Sequence, residues 1–294
     1  MKLFGGAIKK WANRIYPQKD KFWTLLWFSI LLLTALWNWL FLNRPAFRQV
    51  GHGFLNTALI ALLVTFFSLL LAWIVTLILN FLDDIKFKAP YFLFIFLLNI
   101  IRSIPQIIGI LFGYIGITYL IDTERLADPV LTMIIIAFIM SLFIFLEIVD
   151  LMRERIEHFK NVDFYNAMKV CGISERRIIN FDILWKNSRL HIFNKLIAVF
   201  GMAVFLQCSV DFIVSVGLST EVSSVNLPTT LGSLLAKIDS KQDILAIGNT
   251  LVNPAYFPKI FFEHLQGVTV AFLIVFTLLS LYKISNGYAE RNRL

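Results

Sequence analysis

Few residues in this chain of 294 could carry covalent or metal chemistry, and their spacing does not favour it. His52, His158, His191 and His264 are scattered, with no His-x-x-x-His pair and no Cys or acid at ligand spacing. Cys171 and Cys208 do not form a metal site by spacing, and a disulfide between a loop and a span is not expected. No Gly-x-x-x-x-Gly-Lys-Ser/Thr phosphate loop occurs. Gly217-Leu218-Ser219 lacks the spacing of a Gly-x-Ser-x-Gly nucleophile elbow. The chain is therefore not expected to be an enzyme, and no metal or cofactor of its own is expected. What remains is a small set of polar residues inside apolar runs. Arg102-Ser103-Ile104-Pro105 interrupts one run, and Gln207 and Asp211 share one helical face of another. A charge at mid-depth in a membrane is costly in lipid, so Arg102 reads either as a pathway residue or as half of an ion pair inside the bundle.

The densest polar stretch runs from Arg153 to Leu190, with eight Lys or Arg and five Asp or Glu between two long, nearly uncharged stretches. Asp163 can cap a helix with an apolar edge at Val162, Ala167, Val170 and Cys171. Gly172 then stops it, as a glycine just past a helix end does. Ser174 can cap a second helix, with Arg177 where a capping box would hold Glu or Gln. The stretch reads as two short helices bent at Gly172 at the membrane surface.

The elements that position these residues are apolar helices. At 58% apolar and 16% charged, the composition excludes an ordinary soluble domain and a disordered chain. Apolar runs long enough to cross ~30 Å of hydrocarbon predict six spans, over 22–42, 54–82, 91–121, 129–152, 192–218 and 262–285. Pro105 breaks the third span, and Gly109, Gly113 and Gly116 give it a small-residue stripe for close helix contact. Glu147 and Asp150 are expected to pair with Arg153 and Arg155 at the inner end of the fourth. Leu231, Leu234, Leu235 and Ile238 predict a short amphipathic helix lying on the membrane within an outer loop, 219–262. Residues 1–21 carry six Lys or Arg against one acid and predict a basic interfacial helix held by anionic lipid. The first apolar run is long enough to stay in the membrane, so no cleavable signal is expected. Summed over the proposed inner segments, Lys plus Arg number nineteen, against six outside. This places both termini and the 153–190 loop in the cytoplasm. The net charge of +8 follows from this asymmetry and needs no nucleic-acid partner.

The bend at Gly172 carries a family resemblance. Asn166-Ala167-Met168-x-x-x-Gly172 resembles the Glu-Ala-Ala-x-x-x-Gly signature in the cytoplasmic coupling loop of ABC importer permeases. The run from Ile173-Ser174-Glu175 through Arg177-Ile178-Ile179 to Ile183-Leu184 is similar to the segment that follows the signature. Asn166, Met168 and Trp185 stand where the family has Glu, Ala and Pro. Over about Asn99 to Leu235 the order of features resembles the second permease subunit of the dipeptide/oligopeptide/nickel class. Val214-Ser215-Val216-Gly217-Leu218 resembles its turn at the fifth span, and Pro228-x-x-x-Gly232-x-Leu234-Leu235 resembles its outer-loop element. The amino-terminal third matches in hydropathy only, and the tail lacks the family's ending, which marks a divergent member.

The resemblance implies a type I importer permease fold in a bacterial inner membrane. It implies a second, non-identical permease subunit, two ATPase subunits that use ATP and Mg, and an extracytoplasmic binding protein that delivers a peptide-like or metal-chelate solute. On this reading Phe164, Tyr165, Met168 and Ile173 bury in an ATPase cleft, rimmed by Lys169, Arg176 and Arg177. Asn166, Ala167, Gly172 and Ser174 shape the loop. Arg102, Pro105, Gln207 and Asp211 are candidates for the path. Two alternatives stay open. Arg102-Ser103-Ile104-Pro105-Gln106 also resembles the third-span motif of phosphonate-type importer permeases, and a hairpin of this kind could serve a membrane scaffold or assembly factor.

Overall fold

The computed structural model describes residues 18–83, 88–126, 128–218, 227–237, 245–246, 248–262 and 265–292. The basic segment expected at the amino terminus lies, up to residue 17, outside them. Among the described residues the chain is all-α, with no strand. The main helices in order are α1 (Lys19–Phe41), α2 (Arg44–Asp83), α3 (Ala89–Ser103), α4 (Gln106–Asp122), α5 (Pro129–Ile144), α6 (Leu146–Lys160), α7 (Asp163–Val170), α8 (Glu175–Arg177), α9 (Arg189–Leu218), α10 (Leu231–Ala236), α11 (Phe257–Phe262) and α12 (Leu265–Asn292). Four of them are long and apolar enough to cross a membrane, namely α1, α2, α9 and α12. The number rises to six if the bent pairs α3–α4 and α5–α6 each count as one crossing.

Helix α2 shows which solvent surrounds the bundle. Its buried stripe, at positions three and four apart, holds small and β-branched residues: Gly53, Thr57, Ala61, Val64, Ser68 and Ala72. Its exposed stripe is the larger and greasier one, with Leu55, Leu59, Leu62, Phe66, Leu70 and Ile74. A water-soluble helix would carry these the other way round. Small residues at helix contacts and large apolar ones outside are the pattern of lipid-facing bundles. The helix begins at Arg44, so the gap left between the first two expected spans is already helical. With 40 residues it is about 60 Å long, twice the hydrocarbon thickness.

Proline geometry accounts for the largest departure from the expected spans. Residues 91–121 do not form one continuous helix. The chain breaks at Ile104 and Pro105, and α3 meets α4 at 89°. Ile104 is extended at φ −82°, ψ 122°, as the residue before a proline prefers, and Pro105 has no N–H to continue the helical ladder. Helix α4 packs antiparallel on α5, with Gly109 under Phe143 and Gly113 under Ile139, so two of the three expected small residues make close contacts. Helix α3 has no buried residue and lies at the edge of the bundle. The fourth expected span bends by 46° at Phe145. No proline or glycine lies there. One turn earlier the Ser141 hydroxyl donates to the Phe138 carbonyl, a side-chain bond of the kind that bends helices. Beyond the bend α6 runs on to Lys160, so the first part of the polar stretch continues that helix.

Helix α9 is central, burying Val199, Ala203, Val204, Gln207 and Val210 against α2, α4, α6 and α12. Helix α1 packs mainly along α12. The Asn38 amide oxygen accepts from Thr269 at 2.9 Å, Trp27 donates to Thr277 at 3.3 Å, and Lys19 pairs with Glu290 at 2.6 Å. The start of α1, the ends of α2, α6 and α12 and the start of α9 gather at one end of the bundle, with the polar hairpin.

Candidate functional site

The hairpin is built on a helix stop that the backbone makes explicit. Val162 is the residue before α7, so Asp163 is the first helical residue and not the cap, and its side chain accepts no capping bond. At the other end Gly172 sits at φ +79°, a left-handed conformation that side chains with a Cβ resist. The Gly172 N–H donates to the Lys169 carbonyl at 2.9 Å, and the Ile173 N–H donates to the Met168 carbonyl at 3.2 Å. This pair of bonds is the Schellman closure, and the two side chains it joins, Met168 and Ile173, both pack against the core. Ser174 occupies the cap position of the next turn without a side-chain bond. The expected second helix is one α-turn, α8, followed by a π-helix over Ile178–Asn187 that buries Ile178, Ile179, Ile183 and Leu184. A π segment of this length is uncommon, and shorter ones concentrate at functional places.

Glu175 ties the hairpin together. It accepts from the Tyr165 hydroxyl, pairs with Lys169 at 3.0 Å, and lies 3.5 Å from Lys160. Burial opposes its charge, but the bonds from Tyr165 and Lys169 and the charges of Lys160 and Lys169 hold its carboxyl below the ordinary range. Hydrogen bonding to Tyr165 and then Glu175 raises Lys169, while burial and the bond to Glu175 push the Tyr165 phenol up. Lys169 also lies 4.8 Å over the Tyr165 ring. The clamp reaches the end of α2, where Lys160 donates to Asn80 at 2.9 Å, Trp73 donates to Asn180 at 2.7 Å, and Arg176 lies over Phe81. Phe164 packs edge-on against Phe159. The hairpin is therefore braced to α2 and α6 and leads directly into α9.

This arrangement corrects the expected docking face. Tyr165 is buried, and Phe164, Met168 and Ile173 are partly buried within the chain's own fold, so they are not free to fill a partner's cleft. The outward stripe of α7 is Asp163, Asn166, Ala167 and Val170, continued by Cys171, with Val170 89% exposed. Arg177 is exposed. The apolar edge read from Val162, Ala167, Val170 and Cys171 is the one that faces out.

The path candidates separate. Arg102 sits in the last turn of α3. It lies at the α3–α4 corner beside Pro105 and pairs with Asp150 of α6 at 2.6 Å, both side chains about half exposed. Glu147 pairs with Lys195 at 2.7 Å, so neither acid takes the arginine expected for it. Gln207 and Asp211 do share a face of α9, both buried, at the end opposite the hairpin. Asp211 accepts from Tyr114 and from Thr230, each at 2.6 Å. Gln207 is one turn away, and neither of its amide atoms reaches a hydrogen-bond partner.

Thr230 belongs to α10, which also departs from expectation. The helix does not lie on the membrane. It is inserted among α2, α9 and α12 with Leu231, Gly232, Leu234 and Ala236 buried. Thr230 and Ser233 close a capping box at its start. Glu175, Tyr114 and Thr230 carry much of this geometry and were not singled out from sequence. Only Thr230 had a local signal there, in its three-residue spacing to Ser233. Compared with protein-family models, curated proteins and solved structures, the chain matches none.

Proposed function

We propose that the chain is a membrane permease subunit of an ATP-driven importer, divergent from the dipeptide/oligopeptide/nickel class, with a type I permease fold. In this reading each bent pair is one crossing, giving six, with both termini and the hairpin on the cytoplasmic side of a bacterial inner membrane. A binding protein presents a peptide-like or metal-chelate solute from outside, and a second permease subunit completes the path. Two ATPase subunits, which use ATP and Mg, drive it.

The observation that carries the proposal is the outward stripe of α7 on a braced hairpin. A short helix presents Asn166, Ala167 and Val170 to the exterior, stops at the Gly172 closure, and is fixed to α2 and α6 through Glu175 and Lys160. A push on such a helix cannot be absorbed locally. It passes as a rigid-body movement into α6 and α9, the kind of domain-level switch that alternating access needs. The resemblance of Asn166-Ala167-Met168-x-x-x-Gly172 to the coupling-loop signature adds direction, because it names an ATPase as the partner. The motif Arg102-Ser103-Ile104-Pro105-Gln106 builds the 89° corner, and its resemblance to the third-span motif of phosphonate-type permeases keeps such a permease as the second reading.

The test is co-purification of the tagged chain in mild detergent, followed by mass spectrometry and an ATPase assay. ATPase subunits are expected with the unaltered chain and are expected to be lost with Ala167→Glu, which adds a charge on an exposed position and leaves the fold alone. A chain that brings down only a non-ATPase partner, with no turnover, makes the hairpin a scaffold's docking site.

A further inference from the structure

Helix α10 is a buried six-residue segment with no helical stability of its own, since isolated helices this short do not persist in water. Surrounding helices hold it through a few anchors. The Thr230 hydroxyl donates to Asp211 of α9, and the Leu231 N–H donates to the Thr57 hydroxyl of α2 at 3.0 Å. The Asn56 amide donates to the Thr229 carbonyl at 2.8 Å. Gly232 lies flat against the backbone of Cys208 and the Cβ of Asp211, where any side chain would clash. None of these anchors is an ion pair. Asp211 binds Tyr114 of α4 through its other oxygen, so a single carboxylate ties α4, α9 and α10 together. One turn away, Gln207 is fully buried with both amide atoms unpaired. Native structures rarely leave such a group unsatisfied. Its amide stands beside the Asp211 carboxylate, so α10 covers a buried polar cluster of Asp211, Gln207 and Tyr114.

We infer that α10 is a gate at the end of the bundle opposite the hairpin, latched by Asp211, and that its withdrawal uncovers Asp211, Gln207 and Tyr114 as the polar lining of the solute path. The Asp211 carboxylate then loses the donor supplied by Thr230, and a solute bearing an ammonium or another strong hydrogen-bond donor takes that place. The role as a path rests on the permease reading. The latch does not.

Cys208 is a built-in reporter, because it is buried directly under Gly232. In a Cys171→Ser background it is the only thiol of the chain. The full-length protein, in its own membranes with its partners, is treated with N-ethylmaleimide and the rate of Cys208 labelling is measured. Asp211→Asn and Thr230→Val are each expected to speed labelling by roughly tenfold, the effect of losing one buried hydrogen bond. Asn56→Ala is expected to act in the same direction. Ser209→Ala, next to Cys208 but with its hydroxyl bonded to the Phe205 carbonyl of its own helix, is expected to leave the rate unchanged. Unchanged rates in both latch variants, or an equal rise in Ser209→Ala, overturn the gate. Faster labelling in the latch variants of a chain that co-purifies with no ATPase supports the gate and counts against the importer.

Discussion

At the hairpin end Glu175 is held by Tyr165, Lys169 and Lys160, with its side chain 27% exposed and that of Lys169 47% exposed. At the opposite end Asp211 is held by Tyr114 and Thr230, and all three are buried. The first carboxylate sits in a network of charges open to water. Each such contact is weak and screened by salt, and the rigidity comes from their number and from the aromatic packing around them. The second sits in a water-poor bundle where few bonds are made and each costs more to lose. A lever that must transmit force is served by many redundant braces, and a latch that must release is served by a few strong ones.

The largest expected effect on the lever comes from the backbone. Gly172→Pro cannot adopt φ +79° and should break the closure of α7, with a local cost of about 3 kcal/mol or more. The expected result is a chain that still inserts but whose complex loses coupling, with solute-stimulated ATPase turnover down by more than tenfold. Gly172→Ala imposes only the left-handed penalty of about 1–2 kcal/mol and should retain part of the coupling. Equal, unimpaired coupling in both variants would remove the lever from the account.

A smaller effect is expected from Glu175→Gln, and its dependence on conditions sharpens the comparison. Because the folded state holds the Glu175 carboxyl below its ordinary value, its contribution is present above the unfolded value of about 4.3 and is lost as pH falls through the folded one. The difference between wild type and Glu175→Gln should therefore be flat from about pH 6 to 8 and vanish in acid. Raised salt should shrink it as well, while leaving the effect of Asp211→Asn untouched. Thermal unfolding of the purified complex across pH and salt measures both. A salt-insensitive Glu175 effect would mean that the two ends are not held differently.

The sequence was informative where a local rule governs the outcome. Gly172 stops its helix as a glycine at that position should, Pro105 breaks its run, and Gln207 and Asp211 share a face because they are four apart. It was less informative where geometry depends on distant residues. Hydropathy cannot tell that α3 turns by 89° at Pro105, since both arms are equally apolar. The apolar pattern of Leu231, Leu234 and Leu235 fits a surface helix and a buried plug alike, and only the pairing of Thr230 with Asp211 separates them. Phe164, Tyr165 and Met168 looked like docking residues because the packing of α7 on α6 and its link to Glu175 could not be read from their spacing. The outward stripe of α7 carries Asn166, Ala167 and Val170 instead.

The central claim is that the outward stripe of α7 meets an ATPase. The most direct measurement places a photocrosslinking amino acid at Val170, with a second placement at Trp185, which is also well exposed but lies on the π-helix beyond Gly172. Irradiation of whole cells followed by mass spectrometry of the adducts is predicted to give a nucleotide-hydrolysing subunit from Val170 and none from Trp185. Adducts of Val170 with lipid alone, or with a protein that binds no nucleotide, would contradict the claim.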